Sequence, residues 1–193
     1  MRRVVAATAR LADLRPMSFA LTAALLSAAA PTLAMLSERW PGLAPCALCL
    51  WQRWPYWVAA GIALAAVALP RPWRGRALLL AAVAVLVSAG IAALHVGVEQ
   101  GWWPSPLAAC LAPGVTPSAT VEDLLRGLAP RPTKPCDEPA YLLPGLPLSF
   151  AAMNLIYALT LAVFIVHGAR ADRRRAASPG GVNPLSKQAG RRI

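Results

Sequence analysis

Residues 77–98, ALLLAAVAVLVSAGIAALHVGV, decide the fold. They run for the thickness of a hydrocarbon core, about 20 residues of helix, and His95 is their only ionisable side chain. Three more stretches read the same way, 17–36, 50–69 and 146–166, and no other segment does. The expected fold is therefore an all-α membrane protein, a four-helix transmembrane bundle occupying 17–167. It is flanked by a basic N-terminal arm, 1–16, and a basic tail, 168–193. The first span follows Arg2, Arg3, Arg10 and Arg15 as a signal peptide would, but its apolar run is too long and no cleavage site is evident. Pro31 and Pro55 fall inside predicted spans and are expected to kink the first two helices.

Composition agrees, since 58% hydrophobic against 14% charged residues is too apolar for a soluble domain of 193 residues. The net charge of +11 does not read as a nucleic-acid surface, because the basic residues sit at the chain ends and in one short connection. No nucleic-acid partner is expected. Four Lys or Arg precede the first span, three lie in 70–76 and seven follow His167, fourteen of the nineteen in the chain. The positive-inside rule then puts both termini in the cytoplasm and makes 37–49 and 99–145 extracytoplasmic loops. All four cysteines fall on the outer side, where disulfides persist. In the long loop, Thr120 and Asp123 resemble a capping box ahead of an apolar stripe, Val121, Leu124, Leu125 and Leu128, which predicts a short interfacial helix over 121–128. Trp40, Trp51, Trp54, Trp57, Trp102 and Trp103 cluster at the outer interface as an aromatic belt.

The sharpest chemical signal is Cys46-Ala47-Leu48-Cys49 at the mouth of the second span, behind Pro45, a residue suited to open a helix. Two cysteines three apart share a helical face, and a helix N-terminus favours a thiolate. Spacing alone permits redox or zinc chemistry. Arg53 stands one turn below Cys49, and an arginine within a span costs about 2.5–3.5 kcal/mol at the bilayer centre, less near an end, so it is either functional or a snorkelling anchor. Cys110 and Cys136 lie in the proline-rich second loop, where a structural staple or a second redox pair is possible. His95 and Glu99 form an i, i+4 ionisable pair near the outer end of the third span. Ala89, Ala93 and Gly97 repeat every four residues on that helix, a pattern that lets another helix approach.

With four spans, Cys46-Ala47-Leu48-Cys49-Leu50-Trp51-Gln52-Arg53 on the second, Ala93-Leu94-His95 followed by Trp102-Trp103, and the loop pair Cys110 and Cys136, residues 15–167 resemble the disulfide bond formation protein B (DsbB) family. The resemblance implies a thiol:quinone oxidoreductase of the bacterial inner membrane. It would reoxidise a periplasmic DsbA-like thiol oxidase and draw on the membrane's lipid-dissolved quinone pool, ubiquinone or menaquinone. It further implies that Cys46 and Cys49 are the quinone-proximal disulfide, with Cys49 the thiolate at the ring. On physical grounds Trp51 and Trp54 are expected to desolvate that thiol. Arg53 would stabilise the reduced anion, His95 would stand near the quinone, and Cys110 with Cys136 would meet the soluble partner. No resident metal is expected.

Two other classes fit some of these features. A transmembrane thiol reductase, or a vitamin K epoxide reductase-like protein, also combines four helices with a Cys-x-x-Cys pair. Carrying electrons across the bilayer would require cysteines on the cytoplasmic side, however, and this sequence has none there. A membrane scaffold with two structural disulfides, or a four-cysteine zinc site, is separated from the redox reading by metal analysis and a quinone-dependent thiol oxidation assay.

Overall fold

The computed structural model describes residues 2–40, 44–107, 110, 134–141 and 148–177, and the expected interfacial helix over 121–128 lies outside them. Within this range the chain is helical, with α1 (Arg2–Arg39), α2 (Ala47–Trp51), α3 (Arg53–Ala68), α4 (Arg71–Glu99) and α5 (Phe150–Ala177). One isolated antiparallel bridge, Tyr141 to Ser149, precedes α5.

Three segments, Ser18–Arg39, Trp73–Glu99 and Phe150–Arg174, are each long and apolar enough to cross a membrane. The remaining crossing is divided. The 16 residues of α3 rise only ~24 Å, short of a ~30 Å hydrocarbon core, and the five-residue α2 stacked before it makes up the depth. The break falls at Gln52, with Pro55 in the first turn of α3, where a missing N–H would have had no partner in that helix. Pro31 instead sits fully buried within α1, which continues unbroken past it.

Packing follows residue size. α4 lies extensively against α5 and α3, while α1 packs mainly on α3. The shared interior is built largely from alanine, including Ala20, Ala23, Ala59, Ala63, Ala81 and Ala162, filled out by Leu78, Val85 and Ile165. The bulky side chains Leu25, Leu33, Leu80, Val83, Leu159 and Val163 face outward. A soluble bundle would reverse this. Between helices in lipid there is little apolar area to hide from water, so close backbone approach over small residues becomes the source of packing energy.

The small-residue repeat on α4 does not form one helix-packing stripe. Ala89 is buried in the core, Ala93 is exposed, and Gly97 receives the Trp103 ring, which a Cβ at that position would strike. Trp103 Nε1 donates to Leu94 O at 3.0 Å, so the returning loop, not another helix, occupies the space. Gly101, with φ +69°, supplies the left-handed turn that folds the chain back after α4. At the opposite end, Arg74 is buried and closes the C-terminus of α3, donating from Nε to Ala66 O at 3.2 Å and from Nη2 to Leu69 O at 3.1 Å.

Candidate active site

The short helix α2 exists because its entry is pinned. Cys46 is its N-cap, with extended φ −90° and ψ 170°, and its sulfur accepts from the Cys49 backbone N–H at 3.2 Å. Pro45 stands one residue outside the helix rather than opening it. The same cap brings the two sulfurs to 2.9 Å, so a small side-chain rotation closes a disulfide between them. Both are free thiols here, Cys46 buried and Cys49 partly exposed.

Behind Cys46 lies His95 of α4, its Nε2 at 3.5 Å from the Cys46 sulfur. The far ring nitrogen, Nδ1, meets the Gln52 amide at 2.9 Å. Gln52 Oε1 accepts from Asn154 Nδ2 at 2.7 Å, and Asn154 Oδ1 accepts from the Tyr56 hydroxyl at 2.7 Å. Ser88 Oγ donates to the Gln52 backbone carbonyl at 2.9 Å, satisfying an acceptor near the break between α2 and α3. Three helices thus contribute to one polar chain that fixes the imidazole. The hydrogen bond from the Cys49 thiol, then His95, and the Cys49 N–H hold the Cys46 thiol well below the ordinary thiol range, against the upward pull of burial.

Cys49 faces the other way, into a small, half-open apolar cleft between α1, α3 and α5. Pro31, Ala34 and Phe150 make its apolar walls, and Arg53, Tyr56 and Asn154 its polar ones. Arg53 pairs through Nη2 with Glu38 of α1. Its Nε is buried with no hydrogen-bond partner among the described residues. Trp51 and Trp54 point away from Cys49 and are 60% and 71% exposed, so α1 and Phe150, not these tryptophans, shield the thiol. His95 does not line this cleft. It stands on the Cys46 side, because α4 packs against α2 from behind.

Cys110 and Cys136 form a disulfide with a Cα–Cα distance of 5.0 Å. Both are buried, and they pack in the same apolar cluster as Cys46, Ala47, Leu48 and Val98. The Cys136 backbone carbonyl also reaches His95, which therefore touches both pairs. The four cysteines expected from sequence come together at one end of the bundle, one pair oxidised and one reduced. Outside the disulfide runs a groove lined by Trp103, Pro104, Ser105, Cys110, Pro135 and Asp137.

The family described as disulfide bond formation protein DsbB matches residues 16–168. The chain belongs to the DsbB family. No curated protein and no solved structure matches it. As a DsbB-family member it is a multi-pass membrane protein of disulfide-bond formation, in a family of disulfide-forming oxidoreductases.

Sequence reading gave no role to Glu38, Gln52, Tyr56, Ser88 or Asn154. A signal was present, since each of the last four is a polar residue inside a predicted apolar span, where polar groups are costly unless partnered. Glu38 carried no comparable signal, because its link to Arg53 depends on how α1 packs beside α3.

Proposed function

We propose that the chain is a thiol:quinone oxidoreductase of the bacterial inner membrane, with both termini cytoplasmic and its cysteines periplasmic. It would reoxidise a DsbA-like thiol oxidase and thereby support disulfide formation in exported proteins. The observation that carries this reading is the continuous arrangement of a surface groove at Cys110, two packed cysteine pairs, and Cys49 on the wall of an apolar cleft beside the unpartnered Arg53 Nε.

The cleft suits a quinone head group: it is largely apolar, and the buried Arg53 Nε is a donor awaiting an acceptor oxygen. Arg53, Tyr56 and Asn154 would hold the head group, with Cys49 beside it. Such a quinone, ubiquinone or menaquinone, supplies an acceptor for two electrons and two protons.

The protein's own residues account for the remaining steps. A partner thiolate attacks Cys110, the cysteine of the pair that lines the groove, and Cys136 leaves as a thiolate. The partner's second thiol then releases Cys110, so the partner gains a disulfide and the loop pair becomes a dithiol. Cys136 attacks Cys46 in an oxidised Cys46–Cys49 pair, Cys49 departs, and Cys110 resolves the mixed disulfide. The outcome is the arrangement seen here, with the loop pair oxidised and the two electrons held on Cys46 and Cys49. Gln52 Nε2 donates to His95 Nδ1, which leaves a proton on the ring's Nε2, 3.5 Å from Cys46, where it favours the thiolate that departs from the mixed disulfide, and Arg53 favours negative charge at the cleft.

The test is oxidation of a reduced DsbA-like partner by purified protein in detergent, followed through loss of quinone absorbance. Stoichiometric oxidation of partner with loss of quinone, abolished by Cys49→Ser, is expected. Partner oxidation beyond the equivalents already held by the cysteine pairs, proceeding without quinone or in Cys49→Ser, would refute the proposal.

A further inference from the structure

Glu99 has no task in the thiol exchange just described. It is nonetheless buried beside the reduced pair, with 2% of its side chain exposed, its Oε1 3.8 Å from His95 Nε2 and its Oε2 accepting from Ser149 Oγ at 2.5 Å. A carboxylate in that place repels a Cys46 thiolate. His95 Nε2 thus faces a sulfur on one side and a carboxylate oxygen on the other, all atoms of the kinds that ligate metal ions.

The donor atoms are spaced for one. Cys46 Sγ, Cys49 Sγ and His95 Nε2 all lie within 4.8 Å of one another. With bonds of about 2.3 Å to sulfur and about 2.0–2.2 Å to nitrogen and oxygen, a tetrahedral zinc site has edges of about 3.8 Å between sulfurs, about 3.5 Å from sulfur to nitrogen and about 3.4 Å from nitrogen to oxygen. Here the sulfur–nitrogen edge is 3.5 Å and the nitrogen–oxygen edge 3.8 Å. The sulfurs, at 2.9 Å, must part by about 0.9 Å, a modest rotation of the partly exposed Cys49 side chain, and Glu99, which lies outside the 4.8 Å cluster, must swing in beside His95 to complete the tetrahedron.

The surrounding groups fit as well. Metal-bound histidines hand their other N–H to an acceptor, and bound carboxylates are themselves hydrogen-bonded. Half-turns of the Gln52 and Asn154 amides together present the Gln52 oxygen to His95 Nδ1 while Asn154 Oδ1 accepts from Gln52 and its NH2 donates to the Tyr56 hydroxyl, and Ser149 already holds Glu99. A second cleft, between Glu38, Pro45, Ala140 and Phe150, reaches Cys49 and Arg53 from the loop side and gives an ion a way in.

We infer that the reduced site binds a thiophilic divalent cation of the zinc class through Cys46, Cys49, His95 and Glu99, and that this cation arrests the cycle in its dithiol state. Binding displaces the two thiol protons and changes no oxidation state. Closing the Cys46–Cys49 disulfide removes both sulfur ligands, so the site exists only while the electrons reside on this pair. The inference rests on the proposed cycle only for the existence of that dithiol state.

Cobalt(II) alone is the probe, added to the full chain carrying Cys110→Ser and Cys136→Ser in detergent, without quinone or partner. The dithiol form should take up one equivalent, with thiolate-to-cobalt absorption and the intense visible bands of a tetrahedral site, and zinc should displace it. The oxidised form of the same protein, a control that needs no further substitution, should show neither band. Glu99→Gln and His95→Ala should each weaken binding at least tenfold, and Ser149→Ala about tenfold. Equal cobalt spectra in the oxidised and reduced forms, octahedral spectra only, or undiminished affinity in both Glu99→Gln and His95→Ala would overturn the inference. Because the readout involves no turnover, cobalt binding in a protein that fails the quinone assay would sink the proposed function alone, and the reverse result would sink this inference alone.

Discussion

Replacing Arg53 with alanine removes the guanidinium from the cleft wall beside Cys49 and leaves the cysteine pairs in place. Two interactions are lost, and their sizes differ. The pair with Glu38 has side chains 15% and 26% exposed, so it lies between a surface bridge, worth about 0–1 kcal/mol, and a buried one. The variant should therefore fold with only a modest loss of stability. The Nε donor is fully buried and unpartnered, and a hydrogen bond from a charged donor to an acceptor in the cleft is worth about 1.5–3 kcal/mol. If that bond strengthens as negative charge develops, its loss slows quinone reduction by roughly 10- to 150-fold. Arg53→Lys keeps the charge but not the planar fork, and should recover only part of the rate. The assay is stopped-flow loss of quinone absorbance with the Cys46–Cys49 pair pre-reduced, alongside thiol exchange at Cys110–Cys136 with a model dithiol. Exchange should stay within about twofold of the parent, a margin set by surface-mutation effects below ~0.5 kcal/mol. Parental quinone reduction in Arg53→Ala would show that the residue merely anchors α3. Equal losses in both steps would show that it supports the fold.

Four further outcomes are expected. After reduction, membrane-impermeant thiol reagents should label the cysteines from the periplasmic side alone, and labelling from the cytoplasmic side would reverse the topology and end the proposed cycle. A partner lacking its resolving cysteine should accumulate a mixed disulfide with Cys110 of the parent chain, Cys136 leaving as a thiolate, and mass-spectrometric mapping to any other cysteine would refute the assignment. Because folding lowers the Cys46 thiol below its unfolded value of about 8.5, its contribution to stability is complete above that pH and is lost as pH falls through the lowered folded value. Thiolate absorbance of the reduced protein should accordingly persist below neutrality, and recover only at higher pH in His95→Gln; a parent signal confined to the ordinary thiol range would contradict the geometry. Asn154→Leu leaves Gln52 Oε1 and the Tyr56 hydroxyl without their partner, and should lower stability by about 1–3 kcal/mol in denaturation assays, whereas an unchanged midpoint would show that water replaces the amide.

Hydropathy was enough to find three crossings, because α1, α4 and α5 each carry an unbroken apolar run. The divided crossing was legible as a span but not as two helices, since the break depends on Gln52 and Ser88 meeting across helices. The cysteines could be picked out by spacing and residue type. Their mutual packing could not, because Cys110 and Cys136 reach the Cys46 cluster through a loop whose path no local pattern dictates. Arg53 stood out for its cost in an apolar span, yet its partner Glu38 lies 15 residues earlier on another helix. His95 was legible as a site residue, while its position on the Cys46 side follows from the way α4 packs on α2.

The alanine interior with its leucine and valine exterior reverses the usual expectations for a mutational scan. Ala63→Leu or Ala81→Leu preserves hydropathy but wedges apart helices that meet over a methyl group, so such changes should be among the most damaging in the bundle. Leu25→Ala or Val163→Ala removes bulk only from the lipid boundary, where an acyl chain fills the space. Side-chain volume, not polarity, is therefore the quantity that drift in these helices must respect, and the tolerance for it changes sign between one helical face and the next.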